Sequence, residues 1–352
     1  MTDILTILGA RPQFVKAAVV SKALHDKGIS ETIIHTGQHY DHNMSDVFFD
    51  ELGIPRPAKN LEAGSGRHGQ QTGKMLELIE DFMLSGDRLP RFLMVYGDTN
   101  STIAGALAAS KIHVPVIHVE AGLRSFNRKM PEEVNRVLTD HISDLLFCSS
   151  DEGVNQLARE GVTKGVHNVG DVMYDAVLTF LAAADAKDSK PQLPEGEYAV
   201  FTLHRPSNTD NPENLKSILS ALGQFEKKVI WPVHPRAKNL LKSHDLPDNL
   251  ILTDPKPYLE MLLLIRGSSL VITDSGGLQK EAYWQKKRCI TVREETEWTE
   301  TLHGGWNTLT GPNEEKILSA LKAKTDTPWT PLYGDGTASR KIAEIISEKL
   351  RA

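Results

Sequence analysis

The chain has 352 residues, 40% hydrophobic and 24% charged, a length that predicts two domains and a composition ordinary for a globular protein. Forty Lys and Arg against 46 Asp and Glu leave a formal charge of −6, so no general attraction to nucleic acid or an anionic membrane is expected. An anionic ligand would need a local basic pocket. No run approaches the roughly 18 apolar residues of a membrane span. Asp3 and Arg11 bracket only a brief apolar start, and no export signal is visible. Cys148 and Cys289 fall on separate apolar runs and read as reduced packing thiols, which predicts a cytoplasmic protein.

Short apolar runs predict strands at 4–8, 32–35, 92–96, 114–119 and 144–148, with amphipathic stretches between them. A second series follows at 198–203, 229–233, 250–253, 270–273 and 289–292, separated by helical patterns such as Pro212–Leu222. This alternation predicts an α/β protein with two mostly parallel sheets. A helix is expected from near Asp171, then a polar connector over Ala182–Gly196, and the hinge is placed near Gly170. The last helix, Ser339–Leu350, carries Ile342, Ile345, Ile346 and Leu350 at helical spacing and should pack back on the first domain. The expected division is therefore 1–170, 171–335 and a terminal helix at 336–352.

The halves echo each other. Each opens with a strand leading into Arg-Pro, at Arg11-Pro12 and Arg205-Pro206, and each later carries a strand followed by Asp and small residues, at Asp98-Thr99-Asn100 and Asp274-Ser275-Gly276-Gly277. Two Rossmann-like, doubly wound lobes explain the echo, with strand ends and helix amino termini facing a shared central cleft.

Chemistry concentrates between His118 and Arg136. Glu120 follows an apolar strand, and a carboxylate at the carboxyl end of a parallel strand lies where α/β proteins bind ligands, whereas in mid-strand its burial would be costly. With Pro131 as the first residue of a helix, Glu132 and Arg136 are four apart on one face. An exposed ion pair explains that spacing equally well. At Asp274-Ser275-Gly276-Gly277, glycine would let backbone amides approach a phosphate, and Glu281 lies one turn further on, where it can accept bonds from ribose hydroxyls. A plain Asp/Ser cap is the simpler alternative. Arg11 and Lys16 form a basic corner suited to a diphosphate, or else ordinary surface charge. His204, beside Arg205, and His234 each follow a strand and are candidate proton donors or phosphate partners. The loop with His39, Asp41 and His42 lacks the Cys or the His spacing of a metal shell, so no metal is expected. The stretch Gly64–Gln71 is a basic loop that either closes over ligand or is plain surface.

Together, Gly9-Ala10-Arg11-Pro12, Gly97-Asp98-Thr99, His118-Val119-Glu120-Ala121-Gly122-Leu123-Arg124, Pro131-Glu132-Glu133-Val134-Asn135-Arg136 and Asp274-Ser275-Gly276-Gly277 with Glu281 resemble the non-hydrolysing UDP-N-acetylglucosamine 2-epimerases, in that family's order over nearly the whole length. The resemblance implies a glycosyltransferase-B-like fold, a homodimer, a UDP-sugar substrate and no redox cofactor. It implies Asp98, Glu120 and Glu132 as the acidic catalytic set, His204 at the leaving diphosphate and Arg136 in support. Arg11 and Lys16 would lie near the diphosphate, while Ser275, Gly276, Gly277 and Glu281 would hold phosphate and ribose. Gln38 and His39 would belong to a neighbouring regulatory UDP-sugar site. Two departures bear on substrate: Trp298 stands where many members have arginine, and Gln13-Phe14 follows Arg11-Pro12 in place of an acidic residue. These variants resemble enzymes of surface-polysaccharide synthesis that act on a UDP-diacetamido-uronic acid.

The C2 hydrogen of such a sugar is not beside a carbonyl, so direct removal would be very slow. Loss of UDP from C1 first makes the C2 proton removable, giving a glycal; protonation from the opposite face and return of UDP invert C2. Clustered carboxyl groups can keep one ionised and another protonated. The rival readings are a retaining glycosyltransferase of the same architecture, a hydrolysing epimerase and a non-catalytic UDP-sugar sensor.

Overall fold

The computed structural model describes residues 2–38, 55–186, 194–233, 241, 245–325 and 327–351. They divide into two compact units, Met1–Leu178 with Tyr333–Ala352, and Thr179–Leu332.

The first unit is built on a 7-stranded sheet. Its strands are β1 (Ile4–Leu8), β2 (Glu31–His35), β3 (Lys59–Asn60), β4 (Phe92–Tyr96), β5 (Val116–Ala121), β6 (Leu145–Cys148) and β7 (Val166–Asn168). The order is β3-β2-β1-β4-β5-β6-β7, and every pairing is parallel. The inner strands β1 and β6 are buried at every residue, as expected of strands covered on both faces. Ile7, Val95, Met75, Ile79 and Ala106 belong to one core cluster, which locks helices His68–Leu84 and Asn100–Lys111 to the sheet. Because the order reverses between β1 and β4, the turns leaving these two strands flank a topological switch point, the usual ligand position in an open α/β sheet.

The second unit repeats the plan with β8 (Tyr198–Thr202), β9 (Lys228–Pro232), β10 (Leu250–Thr253), β11 (Leu270–Thr273), β12 (Cys289–Thr291) and β13 (Asn307–Leu309). Its 6-stranded order is β10-β9-β8-β11-β12-β13, again wholly parallel, so the reversal lies between β8 and β11. Trp231 and Phe201 meet edge to face in its core at 4.6 Å between ring centroids. Pro12, Pro131, Pro206 and Pro212 each sit in the first turn of a helix, where a fixed φ helps and the missing N–H costs nothing.

The division between the units falls within helix Val172–Asp185. Gly170 instead marks a close crossing of two backbones: its φ is +89°, and a Cβ there would lie 2.9 Å from the Tyr333 carbonyl oxygen. The terminal helix Ala338–Arg351 buries Ile342, Ala343 and Ile346 and packs against helix Arg11–Asp26. Its amino terminus is capped from a distance by buried Asp175, which accepts from Ala338 N (3.1 Å), Ser339 N (2.7 Å) and Ser339 Oγ (2.6 Å). Asp175→Ala should therefore cost about 1–2 kcal/mol, read as a lower urea midpoint; an unchanged midpoint would show the cap to be dispensable.

Candidate active site

At the first switch point the turns after β1 and β4 are tied by one side chain. Gln13, 2% exposed, accepts through Oε1 from Gly9 N (2.8 Å) and Ala10 N (3.0 Å). Its Nε2 donates to the Tyr96 carbonyl (2.8 Å) and lies 3.0 Å from both Thr99 Oγ1 and Thr102 Oγ1. An ionised acid could not donate to that carbonyl, which explains why an amide stands here. Gly9 has no room for a Cβ, whose place is taken by the hydroxyls of Thr36 and Ser101.

Lys16 lies one helical turn beyond Pro12, and its Nζ pairs with the Glu120 carboxylate; the two side chains are 8% and 10% exposed. Glu120 is held at φ +74°, rare for a residue with a side chain, where the pairing of β5 with β6 slips between Val119 and Ala121. Beside the pair stands Gly97, at φ +61°: a Cβ there would come 3.2 Å from Glu120 Oε2 and 3.6 Å from Lys16 Nζ. Asp98 follows immediately and is ion-paired with Arg136. Burial lifts the Asp98 carboxyl above its ordinary value; the Arg136 and Lys16 charges oppose this and the Glu120 charge adds to it, leaving the group raised.

The ion pair between Glu132 and Arg136, the simpler alternative for their spacing, does not form among the described residues. Glu132 is exposed, whereas Glu133 is buried and lies 3.3 Å from Arg136 Nη1. Glu133 is turned inward because it also accepts from Ser125 N (2.8 Å), Ser125 Oγ (2.9 Å) and Phe126 N (2.9 Å), which fixes the loop before the helix. Arg136 thus joins helix Pro131–His141 to Asp98, and Asn135 Nδ2 adds a bond to the Asp98 carbonyl at 3.0 Å.

Behind these groups runs a buried polar chain that the sequence reading left unassigned. His118 Nδ1 lies 2.7 Å from Asp140 Oδ1, and Asp140 Oδ2 accepts from Arg124 Nη1 at 2.7 Å. Arg124 in turn grips both oxygens of Glu160, at 2.8 and 2.7 Å. Burial would raise the Asp140 carboxyl, but the His118 and Arg124 contacts outweigh it and hold it below its ordinary value.

Gln38 Oε1 accepts from Ser101 N (3.0 Å) and Ser101 Oγ (2.6 Å), which ties it to helix Asn100–Lys111. His39, Asp41, His42 and His234 lie outside the described residues. Arg11 opens helix Arg11–Asp26. Part of the basic stretch 64–71 is helical rather than loop: the helix begins at His68, and Gln71 Nε2 folds back to the Gly64 carbonyl at 2.7 Å.

At the second switch point Asp274, fully buried, does not cap the helix after it. Ser275 does, accepting from Leu278 N at 3.3 Å, while Asp274 reaches across to the β8 turn. It accepts from Arg205 N (2.9 Å), His204 N (3.1 Å) and Asn208 Nδ2 (3.2 Å), and its Oδ1 lies 2.9 Å from His204 Nδ1. Burial would raise this carboxyl too, and the bonds from His204 and Arg205 outweigh it, leaving it lowered. The His204 ring is tethered on one side and 57% exposed on the other. Gly277 opens onto free space at the start of helix Gly276–Trp284, and Glu281 is buried one turn along. Lys280, also buried, places Nζ 3.4 Å from the centroid of the Trp298 ring, a cation–π contact that nothing in the spacing announced. Arg293 pairs with Glu297 at 3.1 Å beside it.

Among the described residues no group of three His, Cys, Asp or Glu side chains could hold a metal ion, and no helix is long and apolar enough to cross a membrane.

Two Rossmann-like units with polar groups gathered at both switch points make a glycosyltransferase-B-like fold. The same fold recurs at 10% identity in the kitacinnamycin glycotransferase (TM-score 0.64). The UDP-N-acetylglucosamine 2-epimerase family model matches residues 22–347, and the chain belongs to that family, as an isomerase. It is 49% identical to a UDP-N-acetylglucosamine 2-epimerase homolog of Methanococcus maripaludis, over 97% of this chain and 99% of that one. It is 47% identical to the UDP-2,3-diacetamido-2,3-dideoxy-D-glucuronate 2-epimerase of Pseudomonas aeruginosa, over 98% and 99%. The crystal structure of the Methanocaldococcus jannaschii UDP-GlcNAc 2-epimerase in complex with UDP-GlcNAc and UDP superposes with a TM-score of 0.87 at 41% identity, covering 98% of this chain and 99% of that one.

The raised Asp98 carboxyl has a measurable sign. As pH rises past the ordinary value of 3.8, the unfolded chain releases this proton before the folded one does, so this group's contribution to stability falls through the window up to its folded value. Asp98→Asn lacks that slope. Its unfolding free energy minus that of the wild type should increase as pH rises above 3.8 in urea titrations; a flat difference would contradict the assignment.

Proposed function

We propose that this chain is a non-hydrolysing UDP-N-acetylglucosamine 2-epimerase that works by elimination and re-addition of UDP. One observation carries the proposal: two carboxyl groups are held in one corner by two cations, Glu120 against the Lys16 ammonium and Asp98 against the Arg136 guanidinium, with burial raising the Asp98 carboxyl. Such a pair can take a proton from carbon on one face and return one on the other. The relatives named above, which bind or act on UDP-sugars, support the same reading.

In this scheme the C1–O bond breaks first and UDP leaves with its electron pair. Arg11, Lys16 and His204 stabilise the developing diphosphate charge, and Ser275, Gly276 and Gly277 offer a helix amino terminus to phosphate. Gly277 suits this part because nothing crowds it. Glu281 accepts from the ribose hydroxyls. The C2 proton then passes to one member of the set Asp98, Glu120 and Glu132, leaving a 2-acetamidoglucal, and another member protonates the opposite face before UDP returns. Arg136 holds Asp98 in place. Gln38 with His39 is assigned to a regulatory UDP-sugar site, and a cytoplasmic homodimer without cofactor completes the proposal.

A second substrate is favoured by one relative and one contact. The Pseudomonas aeruginosa enzyme carries the diacetamido-glucuronate name, and here Trp298 stacks on Lys280 where arginine is usual in the family. The test is proton NMR of the anomeric region during incubation with UDP-N-acetylglucosamine and, separately, with the diacetamido-uronate. Interconversion to the C2 epimer without free sugar is expected, and the higher kcat/KM names the substrate. Glu120→Gln and Asp98→Asn should each lower kcat by about 10²–10⁴-fold. Near-normal turnover in both variants, or free sugar accumulating in step with free UDP, would sink the proposal.

A further inference from the structure

His118 stands inside β5 with no exposed surface, and the scheme above gives it no part. Its Nε2 lies 2.8 Å from the Gly97 carbonyl oxygen, which only accepts, so Nε2 carries a proton. Its Nδ1 shares a proton with Asp140 Oδ1 across 2.7 Å. The other Asp140 oxygen takes the Gly122 amide at 3.1 Å and Arg124 at 2.7 Å, and Glu160 anchors Arg124 from behind.

The backbone groups at the two ends are informative. Gly97 directly precedes Asp98, and Gly122 is two residues beyond Glu120. Both turns have left the regular ladder: Gly97, Glu120 and Gly122 all have positive φ, at +61°, +74° and +82°. The last ladder bond here is Gly97 N to the Val119 carbonyl, at 3.0 Å, and the pairing with β6 slips at Glu120. The β4–β5 ladder that relates the two strands ends there, β5 rejoins β6 at Ala121 only after the slip, and the fully buried His118–Asp140 pair spans the gap between the β4 and β5 ends.

We propose that His118 and Asp140 form a positioning clamp that sets the spacing of Asp98 and Glu120 by holding the Gly97 carbonyl at one end and the Gly122 amide at the other. The clamp rests on the functional reading above, since spacing matters only if both carboxyl groups serve one carbon atom. His118 touches no substrate in this scheme; it acts through backbone.

Two variants of the full-length enzyme separate positioning from mere packing. His118→Asn keeps a donor where Nδ1 stood and abandons the Gly97 carbonyl; His118→Gln puts a donor where Nε2 stood. Expected for His118→Asn is a kcat about 100-fold below wild type with KM changed by less than about threefold, because small misplacement of reacting groups costs rate rather than affinity. His118→Gln should recover at least about tenfold of that loss. A packing role would lower the thermal midpoint of both alike and leave kcat per folded enzyme unchanged. Folded His118→Asn within about threefold of wild-type kcat, or Gln no better than Asn, overturns the clamp. A third readout needs neither variant nor turnover: in the nitrogen-15 spectrum of the wild type, the His118 ring, identified by its through-space contact to Gly97, should show a solvent-protected Nε2 proton. A ring without it overturns the clamp whatever the activity. A wild type that folds but leaves every UDP-sugar unchanged counts against the functional reading instead.

Discussion

The nearly buried ion pair between Lys16 and Glu120 is the constraint around which the first unit is arranged. A charge taken out of water is tolerable only with its partner in place, so the helix after β1 and the end of β5 are bound to one geometry. To reach Lys16, Glu120 takes a backbone conformation that side chains disfavour, and β5 gives up its register with β6 at that residue. Beside the pair the chain turns through position 97 at φ +61°, a conformation that favours glycine, and leaves that glycine with Asp98 next to the pair. Positive φ, register slip and glycine gather at one contact.

Both units solve the same local problem with different chemistry. At each topological switch point the two diverging turns must be tied together, because no strand pairing joins them. In the first unit the tie is an amide, Gln13, which accepts from the β1 turn and donates to the β4 turn. In the second it is a carboxylate, Asp274, which leaves the β11 end and accepts the amides of the β8 turn. The amide can be neutral because it must both give and take; the carboxylate only takes. The His204 ring is thereby oriented by the same residue that closes the turn.

The architecture was legible because buried parallel strands are continuous apolar runs. The inner strands β1, β4, β6, β8 and β11 all lie within or beside the stretches predicted for them. Of the four edge strands β10 was, but β3, β7 and β13 were not, since Lys59-Asn60, Val166-His167-Asn168 and Asn307-Thr308-Leu309 carry no such run. Glu120 was legible as a site residue from its place at a strand end. The choice between Glu132 and Glu133 as partner of Arg136 was not: both spacings suit a helix, and the amides of Ser125 and Phe126, eight and seven residues back, decide it. His118, Gln13 and Lys280 were unreadable as a group for one reason. Each is defined by contacts with residues distant in sequence, such as Asp140, Tyr96 and Trp298, and local periodicity carries no trace of those.

The central claim is that paired carboxyl groups exchange the hydrogen on C2 of a UDP-sugar. The most direct measurement is to let the wild-type enzyme equilibrate UDP-N-acetylglucosamine in heavy water and to read C2 in both epimers by NMR. Deuterium is expected at C2 in each, entering no more slowly than the epimers interconvert. Inverted sugar that still carries its original hydrogen at C2 would contradict it.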